Sequence, residues 1–286
     1  MLAYVFEFWW MLPIAFCVCL MATSSSVEGA VFFAPIFILV FPRLAGIEII
    51  PIEAVFLALA TEIFGFGSAL MGYLRRGLVD ASIAAKVLSV SVPVGIGFGF
   101  LAHSVPGGLI MGGLGMLMLA LSAMMSRSFS VGETPAARVE EGHGPPTRVD
   151  VFGRRYWYSY EHGLFGAAWS VVGGIFVGLT GIGIGELATT SLVIRHRLPV
   201  RVAIGTGILI VFATVLPATL VHAYVFSSSE MNVHWNILFM TIPAVACGGQ
   251  VSPFINNRVD GNKMKTFLAG VFVIVGGLLL WRSLRP

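Results

Sequence analysis

The sequence predicts an all-α integral membrane protein of two homologous halves in inverted orientation, each with a broken or re-entrant helix. Three observations carry that prediction. Of the 286 residues, 57% are hydrophobic and only 11% charged, against about a quarter charged in soluble domains, and the mean hydropathy is +0.91. The chain is long enough for roughly eight to ten bilayer crossings at about 20 residues each, and its apolar residues gather into separate segments. Two of those segments are interrupted in the same manner, by small residues with one glutamate: Ser24-Ser25-Ser26-Val27-Glu28-Gly29 and Thr180-Gly181-Ile182-Gly183-Ile184-Gly185-Glu186.

The apolar segments run over 2–22, 30–41, 51–74, 84–102, 105–126, 163–181, 186–194, 202–226, 234–255 and 264–281. The first lacks the basic start and small-residue cleavage site of a signal peptide and carries Glu7, so it reads as a membrane helix. Segments 30–41 and 186–194 are too short to span at 1.5 Å per residue and read as half-helices. Between the fifth and sixth segments lies a polar stretch containing Glu133, Pro135, Glu140, Glu141, Pro145 and Pro146, which has linker composition. The expected organisation is a first transmembrane repeat over 1–126, a polar linker over 127–161 and a second repeat over 162–286. Arg154, Arg155, Tyr156, Trp157, Tyr158 and Tyr160 form a basic and aromatic belt leading into the second repeat.

Charge sets the expected orientation. Arg75, Arg76 and Lys86 follow the third segment of the first half, whereas Arg195, Arg197 and Arg201 come one loop earlier in the second, and Arg258, Lys263 and Lys265 one loop later. The loop matching Arg75 and Arg76, Ser227-Ser228-Ser229-Glu230, has no base. The positive-inside rule then places the halves in opposite orientations, with five passes or half-passes each. The net charge of +3 is too small and too dispersed for nucleic-acid binding. Cys17, Cys19 and Cys247 lack Cys-x-x-Cys spacing and read as buried thiols.

The breaks are the candidate site. Interrupted apolar segments at matching places in two halves point to the binding site of a transporter, and irregular backbone at membrane depth is tolerated only inside protein or beside a cavity. Gly29, Gly181, Gly183 and Gly185 let a ligand approach the backbone, and a helix starting after such a break offers free N–H groups to an anion. Ser24, Ser25, Ser26, Thr180, Thr189 and Thr190 add hydroxyl donors. Thr61 and Thr206, in Ala58-Leu59-Ala60-Thr61 and Ala203-Ile204-Gly205-Thr206, mark matching helices and are expected near the site.

Glu28 and Glu186 have three readings. Burial disfavours an ionised carboxyl, so a protonated glutamate can donate to an oxyanion and carry the coupling proton. The pair can instead bind a cation, or each can cap the half-helix that follows it. Glu62 is a third carboxylate at membrane depth and a candidate proton relay, without a counterpart in the second half, where Gly207 stands. His103 and His222 near helix ends read as packed or interfacial, Arg75 and Arg76 as topology anchors, and Pro13, Pro35, Pro93, Pro217 and Pro243 as kink positions. Intramembrane catalysis is disfavoured: the chain has no His-Glu-x-x-His, no Gly-x-Ser-x-Gly and no paired intramembrane aspartates. No metal or cofactor is expected. The expected partners are a small anion, a proton and the lipid bilayer, with self-association left open.

The chain resembles the TauE/SafE family of sulfite exporter permeases. Gly181-Ile182-Gly183-Ile184-Gly185 stands for its glycine stretch, and Ala203-Ile204-Gly205-Thr206 matches its helix start. Met71-Gly72-Tyr73-Leu74-Arg75-Arg76-Gly77-Leu78-Val79-Asp80 resembles its basic loop, and Gly248-Gly249-Gln250-Val251-Ser252-Pro253 its penultimate helix. Glu28 and Glu186 depart from the pattern and mark a glutamate-bearing branch. The resemblance implies export or exchange of sulfite, thiosulfate, sulfoacetate or a related organosulfonate through a bacterial inner membrane, driven by the proton-motive force.

Overall fold

Where the apolar segments run, helices form, and they stop at the small-residue breaks and basic loops. The computed structural model describes residues 6–130, 147–160, 163–228, 233–255 and 261–284. In chain order the helices are α1 (Met11–Ser25), α2 (Ala30–Leu44), α3 (Pro51–Arg75), α4 (Ala81–Ala102), α5 (Gly107–Ser130), α6 (Leu164–Thr180), α7 (Ile184–Ile194), α8 (Val200–Ser228), α9 (Trp235–Ile255) and α10 (Gly261–Ser283). Six of them, α3, α4, α5, α8, α9 and α10, are long and apolar enough to cross a membrane. The other four form two broken pairs, α1–α2 and α6–α7. Pro35 sits inside α2 and is followed by a π-helical stretch, Ile36–Val40, since proline removes one ladder hydrogen bond and crowds the preceding turn.

Contacts between helices fix their directions. Phe56 meets Phe226 and Tyr73 lies beside Gly205, so α3 and α8 are antiparallel. Gly115 meets Gly276, and Ser122 donates to the Ala269 carbonyl, so α5 and α10 are antiparallel too. By contrast, α9 runs parallel to α3, through Thr61–Thr241 and Ser68–Ala246, and α4 runs parallel to α8, through Ser91–Thr214 and His103–His222. Exchanging the halves maps this pattern onto itself. α1 and α3 pack on α9 as α6 and α8 pack on α4, while α3–α8 and α5–α10 map onto themselves. Because the equivalent helices α3 and α8 are antiparallel, the repeats are inverted.

The broken pairs are re-entrant hairpins from opposite faces. Phe8 and Trp10, before α1, stack on Phe41 near the end of α2, so that hairpin enters and leaves on the face where α3 and α9 begin. The α6–α7 hairpin does so on the other face, where Tyr160 stacks on His196 beyond α7. That second face holds Arg75, Arg76, Arg195, Arg197 and Arg201 and the start of α10 with Lys263 and Lys265; Arg258 lies outside the described residues. The first face holds Arg43 and Arg282. The positive-inside rule assigns the basic face to the cytoplasm. Close packing within the bundle relies on small residues: a Cβ at Gly178 would come 2.8 Å from the Gly99 amide nitrogen.

Of the polar stretch expected over 127–161, α5 takes residues up to Ser130, and 131–146 and 161 lie outside the described residues. Residues 147–160 form a strap on the basic face, with β1 (Arg148–Val149) paired antiparallel to β2 (Arg155–Tyr156). It docks on the α3–α4 loop: the Val151 N–H donates to the Arg76 carbonyl, Arg148 to the Gly77 carbonyl, and the Tyr158 hydroxyl to Asp80 at 2.8 Å. Asp80 also caps α4 through the amides of Ser82 and Ile83. Burial, with the Asp150 carboxylate it donates to, pushes the Tyr156 phenol up to about 12. Tyr158 is shifted upward by burial and by Asp80. Both hydroxyls therefore remain donors at neutral pH.

Candidate functional site at the two hairpin tips

The hairpin tips meet inside the bundle, where two carboxylates, Glu28 and Glu186, bond across them and a third, Glu62, holds the first tip to α3. α1 ends at Ser26, a non-glycine residue in the left-handed region (φ 57°), and α6 ends at Gly181 in the same conformation (φ 76°). The N-cap of α2 is Gly29 and that of α7 is Gly183, whose φ of 127° only glycine adopts readily. Gly185 lets the tips touch, since a Cβ there would stand 2.7 Å from the Ser26 carbonyl oxygen. Thr189 of α7 donates to the Ser26 hydroxyl at 3.0 Å.

Glu28 is fully buried and does not cap its own helix. Its carboxylate crosses to the other hairpin, where Oε1 accepts from the amides of Ile184 (3.0 Å) and Gly185 (3.1 Å) and Oε2 accepts from Gly183. The role at the first break falls to Glu62 of α3, which accepts from Gly29 and Ala30, each at 3.2 Å. Glu186, the third residue of α7, accepts from the Glu28 amide through Oε1 at 3.1 Å. Its Oε2 is buried without a partner among the described residues. The Glu28 and Glu186 carboxyls face each other, and Glu62 lies within electrostatic reach of Glu28.

Two expectations need correction. The half-helix amides are not open to an anion, because the protein's own carboxylates occupy them. Capping does operate, but Glu28 caps the opposite repeat and Glu62, which sequence reading treated as a relay, caps α2. The Thr61–Thr206 match is also out of register. Thr61 bonds Thr241 at 2.9 Å, and the equivalent hydroxyl pair is Thr214–Ser91 at 3.2 Å. Glu62 therefore corresponds to Val215, a buried apolar residue, and not to Gly207.

The remaining candidates spread outward from the tips. Ser24 bonds Ser252 of α9 at 3.3 Å, while Ser25 and Thr180 donate to carbonyls of their own helices. Thr206 accepts from the Asp80 amide at 2.9 Å, on the basic-face side. Its neighbour Gly207 is the residue that admits the tip, since a Cβ there would collide with the Ser26 and Thr189 hydroxyls. A small cavity of about 20 Å³ lies beside α7, lined by Tyr160 at the end of the strap and by Trp169, Ser170, Ile184 and Ser191. His103 and His222 bond each other at 2.9 Å between α4 and α8. No group of three or more metal-ligating side chains occurs among the described residues.

Comparison with known proteins agrees with this architecture. A profile of the sulfite exporter TauE/SafE family matches residues 11–279. A probable membrane transporter protein, YunE of Bacillus subtilis (strain 168), is 24% identical over 263 residues, covering 84% of this chain and 90% of that protein. No solved structure matches. With that profile covering nearly all of the helical bundle, the chain belongs to the sulfite exporter TauE/SafE family and is a membrane transporter.

Proposed function

We propose that the chain is a proton-coupled secondary transporter of a small sulfur-containing anion such as sulfite, thiosulfate or an organosulfonate, with its site where the two hairpin tips meet. The repeats over 1–126 and 162–286 supply one tip each. The observation that carries this reading is the Glu28 carboxylate seated on the α7 N-terminus, at the Gly183, Ile184 and Gly185 amides. A site that holds one oxyanion by backbone amides has the chemistry to hold another. No lysine or arginine side chain is seen at the tips among the described residues, so substrate selection rests on amides, hydroxyls and carboxyl protonation.

Glu28, Glu186 and Glu62 are the proposed proton carriers. A proton shared between the facing Glu28 and Glu186 carboxyls would give the orphaned Glu186 Oε2 its missing partner. In proteoliposomes, Glu186→Gln should reduce pH-gradient-driven flux of a sulfur anion at least tenfold while lowering its binding far less. Equal flux in variant and parent would remove the coupling role. The Glu28 and Glu186 pair also supports a second reading, a cation or cation-coupled carrier. Thermal stabilisation of the purified protein separates the two. A sulfur anion that stabilises more at pH 5.5 than at 7.5 supports the first, and a cation that stabilises more at pH 7.5 supports the second.

A further inference from the structure

We propose that Glu28 is a resident anion: its carboxylate occupies the α7 amides that the transported anion takes, and each anion loaded displaces it as a protonated carboxyl. This rests on the sulfur-anion reading above and adds to it the means of coupling. Two independent observations support it. The three consecutive amides of Gly183, Ile184 and Gly185 are all engaged by a side chain from the other repeat, not by a cap within their own. A second buried carboxylate oxygen, Glu186 Oε2, faces the same place without a partner.

Follow one turn of exchange. In the described state the helix N-terminus is satisfied by Glu28, and the site is closed and fully buried. An incoming oxyanion that accepts from the same three N–H groups removes Glu28's hydrogen bonds. Left ionised, that carboxylate would be buried without donors, facing the anion, Glu186 and Glu62, an arrangement with a prohibitive desolvation penalty. It becomes tolerable when Glu28 takes one proton, which also supplies a donor to Glu186 Oε2. No basic side chain is seen facing Glu28 among the described residues to neutralise it instead: α7 presents Glu186 and α3 presents Glu62, while Phe176 of α6 and Val211 of α8 close around Gly183 and Gly185. One proton therefore enters per anion bound, and it leaves when Glu28 returns to the amides. For a monovalent anion the loaded and empty sites carry equal charge, so the cycle is electroneutral.

The test is titration calorimetry on the purified full-length protein, in two buffers of different protonation enthalpy. The probes are thiosulfate and methanesulfonate, whose charges stay fixed between about pH 5 and 8. Parent protein should take up about one proton per anion, with affinity rising about tenfold per unit fall in pH. Glu28→Ala should bind with no proton uptake and no pH dependence, at least as tightly as the parent does at low pH. Glu28→Gln, which keeps an acceptor on the amides and the side-chain volume, should also show no uptake and serves if Glu28→Ala does not fold. Binding by the parent without proton uptake overturns the resident-anion step and leaves the substrate reading standing. Unchanged uptake in a folded Glu28 variant overturns it as well. Failure of every sulfur anion to bind parent and variants at any pH overturns the substrate reading itself.

Discussion

The two hairpin breaks occupy equivalent places in an inverted pair of repeats, yet they are built differently. At the first, the chain turns at a left-handed serine, and the following half-helix is capped from within its own repeat by Glu62. At the second, the chain turns at glycines, and the half-helix is capped from the opposite repeat by Glu28. The surrounding scaffold keeps its symmetry, as the hydroxyl pairs Thr61–Thr241 and Thr214–Ser91 show. The difference teaches that packing and chemistry obey separate constraints. Inverted repeats need matched helix contacts on both sides of the membrane, whereas the carboxylates that cap the breaks need not be matched. The first half therefore supplies both capping carboxylates, and the second supplies Glu186 with its unpaired oxygen.

The largest effect should come from removing the fixed cap. Glu62→Leu leaves the Gly29 and Ala30 amides buried without acceptors, a loss of about 2–6 kcal/mol at about 1–3 kcal/mol per unmade buried bond. The melting temperature in detergent should fall well below that of Val215→Leu, the change at the matching place in the second half. If the two variants melt alike, Glu62 is not a structural cap and the contrast between the breaks fails.

A smaller effect should come from the turns. Gly183→Ala forces a side chain into φ 127° and brings its Cβ to 3.1 Å from Phe176, a strain of about 1–3 kcal/mol. Ser26→Gly has the opposite sign on backbone strain, because a left-handed serine costs about 1–2 kcal/mol that glycine does not. It also loses the Thr189 bond and gains chain entropy when unfolded, so its net change should stay within about 1 kcal/mol. Thermal melts of the pair test whether the breaks tolerate backbone change unequally.

The composition, the apolar spacing and the placement of arginines made the membrane class, the ten helical pieces and the inverted orientation legible in sequence. Those features depend on local hydropathy and on loop charge, which a single chain displays directly. The site was legible only as a neighbourhood. That Glu28 would cross to Gly183 depends on where the second hairpin sits, information held in contacts between helices far apart in sequence. The capping role of Glu62 escaped sequence reading for the same reason: its partners precede it by a whole half-helix. The register error at Thr206 arose because Ala-x-x-Thr recurs in apolar helices, while the true match, Thr214, is identified by its bond to Ser91. Gly207, whose missing side chain makes room for Ser26, carries no signal apart from the collision a Cβ would meet.

The finest comparison concerns the hydroxyl pairs, where the repeats are expected to behave alike. Each joins a hairpin-bearing repeat's long helix to a helix of the other repeat, and neither touches the carboxylates through any bond described. Interhelical hydrogen bonds of this kind are worth about 0.6 kcal/mol on average in membranes and up to about 1.7. Thr61→Val and Thr214→Val should thus each lower stability by about 0.5–1.5 kcal/mol, within a few tenths of one another, when measured by unfolding in the same detergent. The double variant should be additive, because the two pairs lie on different interfaces and share no partner. A much larger loss for Thr61→Val would mean that its neighbour Glu62 depends on it, and that the asymmetry of the breaks extends into the scaffold. Equal losses would confine the asymmetry to the tips.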